Sequence, residues 1–189
     1  MNLRIRTPIL ACVMLLTGAA GTEAQLGPVL DWISEMSGPG YTRVGLQQSF
    51  GLRGDNAATD ISVAAMYGWK VHSPEGTDAV DRDMRLWSVQ GTVDAPLIRF
   101  SRDVHLLAVV GIAGHVFSGD DFDSFVTGSF PTQVALRIRP GSSSFKLGAG
   151  FNVFWFPDDA FDPLDVGVQE EGFEGAFGLW ASYQFLFGP

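Results

Sequence analysis

Residues Gly172 to Phe187, GFEGAFGLWASYQFLF, alternate along their whole length between two kinds of side chain. One face is apolar and mostly aromatic: Phe173, Phe177, Leu179, Ala181, Tyr183, Phe185 and Phe187. The other face is mixed: Glu174, Ala176, Gly178, Trp180, Ser182 and Gln184. A period of two predicts a β-strand. Soluble strands average roughly 5 to 6 residues, and a tilted strand needs about 9 to 11 to cross a bilayer. The length of this segment therefore indicates a membrane-spanning strand.

Six further segments alternate in the same way: residues 41–52, 60–72, 85–97, 104–117, 129–139 and 144–156. Each has one apolar face and one face that mixes isolated charges with glycine, serine and alanine. Such a mixture suits a narrow barrel lumen better than a soluble exterior or a soluble core. The pattern predicts an all-β fold, an antiparallel up-and-down transmembrane β-barrel of about eight strands.

The N-terminus has the layout of an export signal in residues 1–24. Arg4 and Arg6 precede the apolar run Ile9 to Leu16, which small residues follow. No later stretch approaches about 20 uninterrupted apolar residues, so the chain has no candidate transmembrane helix. An exported chain of this kind resides in a membrane only as a closed barrel or through lipidation. Cys12 is the only cysteine and lies inside the apolar run, which argues against lipidation and leaves the mature chain without a thiol.

The remaining domains are an N-terminal segment, residues 25–40, and the barrel, residues 41–189. Bacterial barrels have even strand counts, and only seven segments alternate clearly. Residues 26–36 could supply the eighth strand, but their pattern favours a short helix that begins near Pro28. In the helical case the missing strand would come from elsewhere, for example from Leu164 to Gln169.

The lengths of the connections indicate an orientation. Short links at Ser101 to Asp103 and Pro140 to Ser143 alternate with long links at 73–84, 118–128 and 157–171. Short periplasmic turns and longer outer loops are typical of outer-membrane barrels. Aromatic residues favour the two membrane interfaces. The predicted interface aromatics are Trp69, Trp87, Trp155, Tyr183, Phe185 and Phe187.

With this signal, these strands and the ending Tyr183 to Phe187, the chain resembles the small eight-stranded outer-membrane β-barrels of Gram-negative bacteria. The resemblance covers roughly residues 41–187 and identifies no subfamily. It implies a place in the bacterial outer membrane. It also implies that the C-terminal strand is read by the barrel-assembly machinery. Gly188 and Pro189 follow the last aromatic residue, so either Phe185 or Phe187 could be the terminal residue of that signal.

Charged and polar residues on the mixed faces are the candidates for a functional site. The predicted lumen polar network is Arg43, Lys70, Asp94, His115, Arg137, Lys146 and Glu174. These side chains could line an ion path. An eight-stranded barrel, however, is only just wide enough for its own side chains to fill, which favours internal ion pairs.

Two other constellations have alternative interpretations. His115 lies near Ser118, Gly119, Asp120 and Asp121, as a base near a hydroxyl would in an acyl-transfer enzyme. No second motif converges there, so we interpret His115 as a lumen residue. Several loop carboxylates could ligate calcium, but their spacing lacks the order of a calcium loop: Asp120, Asp121, Asp123, Asp158, Asp159, Asp162 and Asp165. We predict no cofactor, no metal site and no catalytic residue.

The sequence thus predicts a non-enzymatic outer-membrane barrel with a structural or surface-interaction role that presents acidic outer loops. Its predicted partners are outer-membrane lipid, lipopolysaccharide and the assembly machinery. Without the signal peptide the net charge is near −10, which disfavours nucleic-acid binding. Three alternatives stay open: a narrow pore or hydrophobic-ligand conduit, a lipid A-modifying barrel enzyme, and a soluble periplasmic barrel of lipocalin type.

Overall fold

The computed structural model describes residues 24–33, 40–51, 59–72, 85–119, 124–156 and 172–187. These residues form eight β-strands: β1 Ala24–Ile33, β2 Gly40–Gly51, β3 Asp60–His72, β4 Arg85–Arg99, β5 Val104–Ser118, β6 Phe125–Ile138, β7 Ser143–Phe156 and β8 Gly172–Phe187. Each strand pairs antiparallel with its neighbours in sequence, and β1 pairs with β8, which closes the barrel. The predicted up-and-down barrel of eight strands is confirmed. No helix within the described residues is long and apolar enough to cross a membrane.

The first strand corrects the interpretation of residues 26–36. Residues Ala24–Ile33 form a strand of the barrel rather than a short helix, so the barrel begins before residue 41. Val29, Asp31 and Ile33 all face the interior, where Asp31 pairs with Arg43. Because the lumen is polar, the buried face of this strand carries the acidic residue Asp31. A charge at that position makes the strand harder to recognise from the sequence. Residues 1–23 of the predicted signal, which was placed at 1–24, lie outside the described residues, whereas Ala24 is the first residue of β1. The alternative strand at 164–169 also lies outside the described residues.

The apolar faces of the strands point outward, as the alternation predicts. Among the side chains that the structure describes, twenty-eight large hydrophobic ones are exposed, Ile112 at 66% and Leu147 at 52% among them. The large side chains that bury themselves in the lumen are mostly polar or charged, with Arg43, Arg137 and Lys146 among the largest. Within the described residues, no second sheet or helix covers the exterior. This inversion of the usual soluble pattern is typical of a barrel that faces lipid.

The strands leave two distinct ends, which we name by their connections. The long-loop end carries the links 34–39, 73–84, 119–124 and 157–171. The terminal end carries the links 52–59, 100–103 and 139–142, together with the first residue of β1 and the last residue of β8. The link 139–142 turns at Gly141, whose φ of 65° is readily adopted only by glycine, and Ser143 N donates to Pro140 O at 3.3 Å. Such a tight turn suits a hairpin.

The seam between β1 and β8 depends on close backbone approach at Gly27. A Cβ atom at Gly27 would lie 1.8 Å from the carbonyl oxygen of Tyr183, whereas a Cβ atom at Gly91 would contact nothing within 4 Å. We expect Gly27→Ala to lower the free energy of unfolding by about 1 to 3 kcal/mol, because backbone of β8 must move. Gly91→Ala, its matched control, should be nearly neutral. Urea unfolding of the folded barrel measures both variants, and equal effects would contradict this account of the seam.

Candidate functional site

The barrel lumen holds the side chains that could carry chemistry. The structure places five of the sequence-predicted residues inside it, each no more than 1% exposed: Arg43, Asp94, His115, Arg137 and Lys146. The backbones of Lys70 and Glu174 lie in β3 and β8, but their side chains lie outside the described part of the structure. The five placed residues do not form one network. They divide between two groups at different heights in the barrel.

The first group, the outer-half network, lies toward the long-loop end. Arg43 forms an ion pair with Asp31, and its Nη1 donates to Ser88 Oγ at 3.2 Å. Ser88 Oγ is 2.9 Å from His115 Nδ1, and His115 Nε2 is 2.8 Å from Ser129 Oγ. These contacts join β1, β2, β4, β5 and β6 across the lumen. Both ring nitrogens of His115 are therefore occupied by hydroxyl groups of the barrel itself.

An apolar layer lies above this network at the long-loop end. Tyr41 and Phe117 pack edge to face with ring centroids 5.5 Å apart, and Phe117 stacks on Phe125 at 5.0 Å. Phe154 lies 5.1 Å from the His115 ring. Ile33 and Leu86 are also buried at this level: they are 2% and 0% exposed. The layer separates the outer-half network from the long-loop end.

The second group, the inner-half cluster, lies toward the terminal end. Asp60 Oδ2 accepts from Arg137 Nη1 at 2.8 Å and from Arg139 Nη2 at 3.0 Å, and Lys146 Nζ lies 3.5 Å away. Lys146 Nζ donates to Asp94 Oδ2 at 2.5 Å. Three cations thus surround two carboxylates. Because charges are costly to bury unless they are paired, each of these groups depends on its neighbours.

Neutral side chains extend the inner-half cluster across the lumen. Thr92 Oγ1 donates to Asp94 Oδ1 at 3.2 Å, and Ser49 Oγ and Ser62 Oγ are 2.7 Å apart. Gln184 Nε2 donates to Ser49 Oγ at 2.8 Å. Arg137 Nη2 lies 2.9 Å from His105 Nδ1. Together with the ion pairs of Lys146 on β7, these hydrogen bonds involve every strand from β2 to β8.

A cavity of about 20 Å³ lies between the two groups. Asp31, Gln133 and Trp180 line it, and each carries a buried polar atom without a protein partner among the described residues: Oδ1, Oε1 and Nε1. A cavity needs roughly 10 to 15 Å³ on this kind of measure to hold a water molecule. By this measure the cavity has room for about one water molecule. The cavity is too small for a larger solute.

The arrangement does not assemble the acyl-transfer site considered from the sequence. His115 faces the lumen, is 1% exposed and lies beneath aromatic rings. Ser118 is three residues further along β5 and therefore lies on the opposite face of the strand. The loop carboxylates of the calcium hypothesis lie outside the described residues: Asp120, Asp121, Asp123, Asp158, Asp159, Asp162 and Asp165.

Two carboxylates of the lumen were missed by sequence reasoning. Asp31 was hidden in a segment interpreted as a helix, and Asp60 is the first residue of β3, where a charge resembles a loop residue. The parity of each strand is the signal that could have found them. Asp60 is two residues before Ser62, and Asp31 is two residues after Val29, so each lies on the same face as a lumen residue.

The predicted interface aromatics lie on the outer surface at two levels. Trp69, Trp87 and Trp155 are 39% to 47% exposed near the long-loop end. Tyr183 and Phe185 are 39% and 47% exposed near the terminal end, where their rings pack edge to face at 4.8 Å. The side chain of Phe187 lies outside the described part of the structure.

Comparison with solved structures identifies the fold. The chain is similar to the Neisserial surface protein A crystal structure, with 12% sequence identity, a TM-score of 0.56, and coverage of 89% of this chain and 98% of that one. It is also similar to a major outer membrane protein of Thermus thermophilus, with 10% identity, a TM-score of 0.54, and coverage of 88% and 100%. No protein-family model matches the chain, and no curated protein matches it significantly. The chain has the fold of the small eight-stranded outer-membrane β-barrels.

Proposed function

We propose that this protein is an outer-membrane β-barrel of a Gram-negative bacterium with a structural or surface-interaction role. The observation that carries the proposal is the inverted barrel, with an exposed apolar exterior around a lumen of paired charges. In water such an exterior would be a severe aggregation liability. In a bilayer it is matched to the hydrocarbon, and the closed ring satisfies the backbone hydrogen bonds. The protein acts by presenting its long loops at the cell surface.

The height of the exterior supports a place in a membrane. On β7, Phe145 and Trp155 are both exposed and stand ten residues apart. That separation is about 33 Å along a strand at roughly 3.3 Å per residue. A strand tilt of about 40° reduces it to about 25 Å along the membrane normal, which equals the usual apolar band of outer-membrane barrels. The two aromatic levels therefore suit the two interfaces of one bilayer.

The charge of the connections supports an orientation. The links of the long-loop end contain fourteen acidic residues and one basic residue: Glu35, Glu75, Asp78, Asp81, Asp83, Asp120, Asp121, Asp123, Asp158, Asp159, Asp162, Asp165, Glu170 and Glu171, with Arg82. The links of the terminal end contain three basic and two acidic residues: Arg53, Arg102, Arg139, Asp55 and Asp103. We propose that the acidic end faces outward and that the termini lie in the periplasm. The surface partner of the loops would then be cationic or bound through divalent ions.

Cell fractionation with heat-modifiable gel mobility tests this proposal. Expressed in a Gram-negative host, the chain should be recovered in the outer-membrane fraction. Without boiling it should migrate differently from the boiled sample, because a folded barrel resists the detergent of the gel. The same signal sequence fused to a soluble reporter is the control for export alone. Recovery of the barrel in the soluble fraction without added detergent would contradict the proposal.

The alternative of a narrow pore has a separate test. Two packed networks and an apolar layer fill the described lumen, and the cavity between the networks has room for one water molecule. We therefore expect the purified barrel to produce no single-channel steps in a planar bilayer. A conducting barrel of the same strand number, reconstituted in parallel, shows that insertion is detectable. Steps that change when Arg137 or Lys146 is neutralised would favour the pore instead.

A further inference from the structure

One hairpin of the barrel extends past the described part of its neighbour at the terminal end. The last residue of β4 that pairs with β3 is Asp94, opposite Asp60, but β4 continues to Arg99. Its pairing with β5 continues as well, with a bulge between Pro96 and Ile98. Residues 95–104, which we call the inner hairpin tip, therefore project beyond the described part of β3.

The inner hairpin tip is held in a defined conformation. Phe100 N and Ser101 N donate to Val104 O at 3.0 and 3.2 Å. Ser101 Oγ accepts from Asp103 N at 3.3 Å and from Val104 N at 3.1 Å. Arg139 N donates to Asp103 O at 2.8 Å, which ties the tip to the adjoining end of β6. The tip is thus an ordered surface.

This surface is strongly apolar on its outside. Leu97, Ile98 and Phe100 are 58%, 49% and 63% exposed. They continue the apolar exterior of the barrel to the level of the turn, where an aromatic residue suits a membrane interface. The tip is therefore placed to contact both the acyl chains and the headgroups of the leaflet at the terminal end.

Two arginines lie beside these apolar residues. Arg99 and Arg102 are exposed on either side of Phe100, with one carboxylate, Asp103, in the same turn. Arg99 Nε donates to Ser101 O at 3.3 Å, which keeps its guanidinium beside the turn. The inner-half cluster lies in the lumen at the same end of the barrel. Its three cations and two carboxylates give the described part of this end one further net positive charge. Arginines beside exposed apolar side chains match a lipid with an anionic phosphate headgroup.

We propose that the inner hairpin tip binds anionic phospholipid. Arg99 and Arg102 hold the headgroup phosphate, and Leu97 and Phe100 contact its acyl chains. This inference rests on the proposed membrane location and adds a lipid preference to it. It also gives the two ends of the barrel opposite roles, since the long-loop end is strongly acidic.

Lipid binding to the purified barrel in a neutral detergent tests the inference. Native mass spectrometry would compare phosphatidylglycerol with phosphatidylcholine on the wild type, on the double variant Arg99→Gln with Arg102→Gln, and on Arg85→Gln. Arg85 is the matched control, because it is an exposed arginine at the other end of β4. We expect the wild type to prefer phosphatidylglycerol. The double variant should lose about thirtyfold of that affinity, the effect of removing two cations near the membrane surface, and Arg85→Gln should retain it.

Three results would overturn the inference. The first is that the wild type binds the two lipids equally, and the second is that Arg85→Gln loses as much affinity for phosphatidylglycerol as the double variant does. The third is that inorganic phosphate binds as tightly as phosphatidylglycerol. Heat-modifiable mobility is measured on every sample. A folded outer-membrane barrel without lipid preference contradicts this inference alone, whereas a wild-type chain with no folded form contradicts the proposed function as well. If the double variant fails to fold, Arg102→Gln in the turn replaces it.

Discussion

Asp60→Ala is expected to destabilise the barrel by about 3 to 5 kcal/mol, which is the usual cost of removing one member of a buried ion cluster. Asp60 is 1% exposed and contacts Arg137, Arg139 and Lys146. Without it, Asp94 is the remaining carboxylate of the inner-half cluster beside three cations. The fully buried Arg137 would lose the partner 2.8 Å from its Nη1. The free energy of unfolding falls because three cations would then stay beside a single carboxylate in the lumen.

The measurement is urea unfolding of the folded barrel in lipid vesicles, followed by tryptophan fluorescence. Asp103→Ala is the matched control, because Asp103 is an exposed carboxylate at the same end of the barrel. We expect it to change the unfolding free energy by less than about 0.5 kcal/mol. If Asp60→Ala were as mild as Asp103→Ala, the charges of the lumen would not be coupled as the distances indicate.

Ile112→Arg tests the exterior with a second large effect. Ile112 is central in β5 and 66% exposed, whereas Val126 is the second residue of β6 and 67% exposed. Because their exposure is the same, a soluble barrel would tolerate arginine equally at both positions. In a bilayer the cost depends on depth. It is about 2 to 4 kcal/mol near the midplane and about 0 to 1 near an interface.

We therefore expect Ile112→Arg to lower the unfolding free energy by about 2 to 4 kcal/mol and Val126→Arg to lower it by at most about 1 kcal/mol. Both are measured in vesicles under conditions in which unfolding is reversible. Val126→Arg is the internal control for the introduced charge itself. Equal values for the two variants would show that the apolar exterior is not immersed in hydrocarbon.

The positions of the strands, and which side chains face the lipid, can be predicted from the sequence. This is possible because every strand of a lipid-facing barrel alternates between outward apolar residues and inward polar or small residues. The alternation predicts the bounds of residues 60–72 and 172–187 to the residue, since it continues to both ends of each segment despite a few exceptions such as Met66 and Gly175. The rule fails at Ala24–Ile33, where Pro28 and Asp31 resemble a helix start and its polar side. The strand forms because β2 and β8 supply ladder partners on both edges, which is tertiary information that no local pattern contains.

The candidate site is predictable as a set of residues but not as a set of contacts. Alternation places Arg43 and Lys146 in the lumen, yet it cannot pair them, because their partners are set by the register of strands that meet across the ring. It also gives no sign of the apolar layer: Tyr41 and Phe117 lie on the mixed faces of their strands, and their burial depends on the narrow width of the barrel.

Seven of the eight strand pairings join neighbours in sequence, and the remaining one joins Ala24 to Phe187. Local hairpins form quickly, whereas a contact between the two ends of a chain must await the ordering of everything between them. We therefore expect closure of the ring to limit the folding rate, with both edge strands exposed to mispairing until it occurs. A covalent link between the first and last strands would speed folding far more than one within any hairpin.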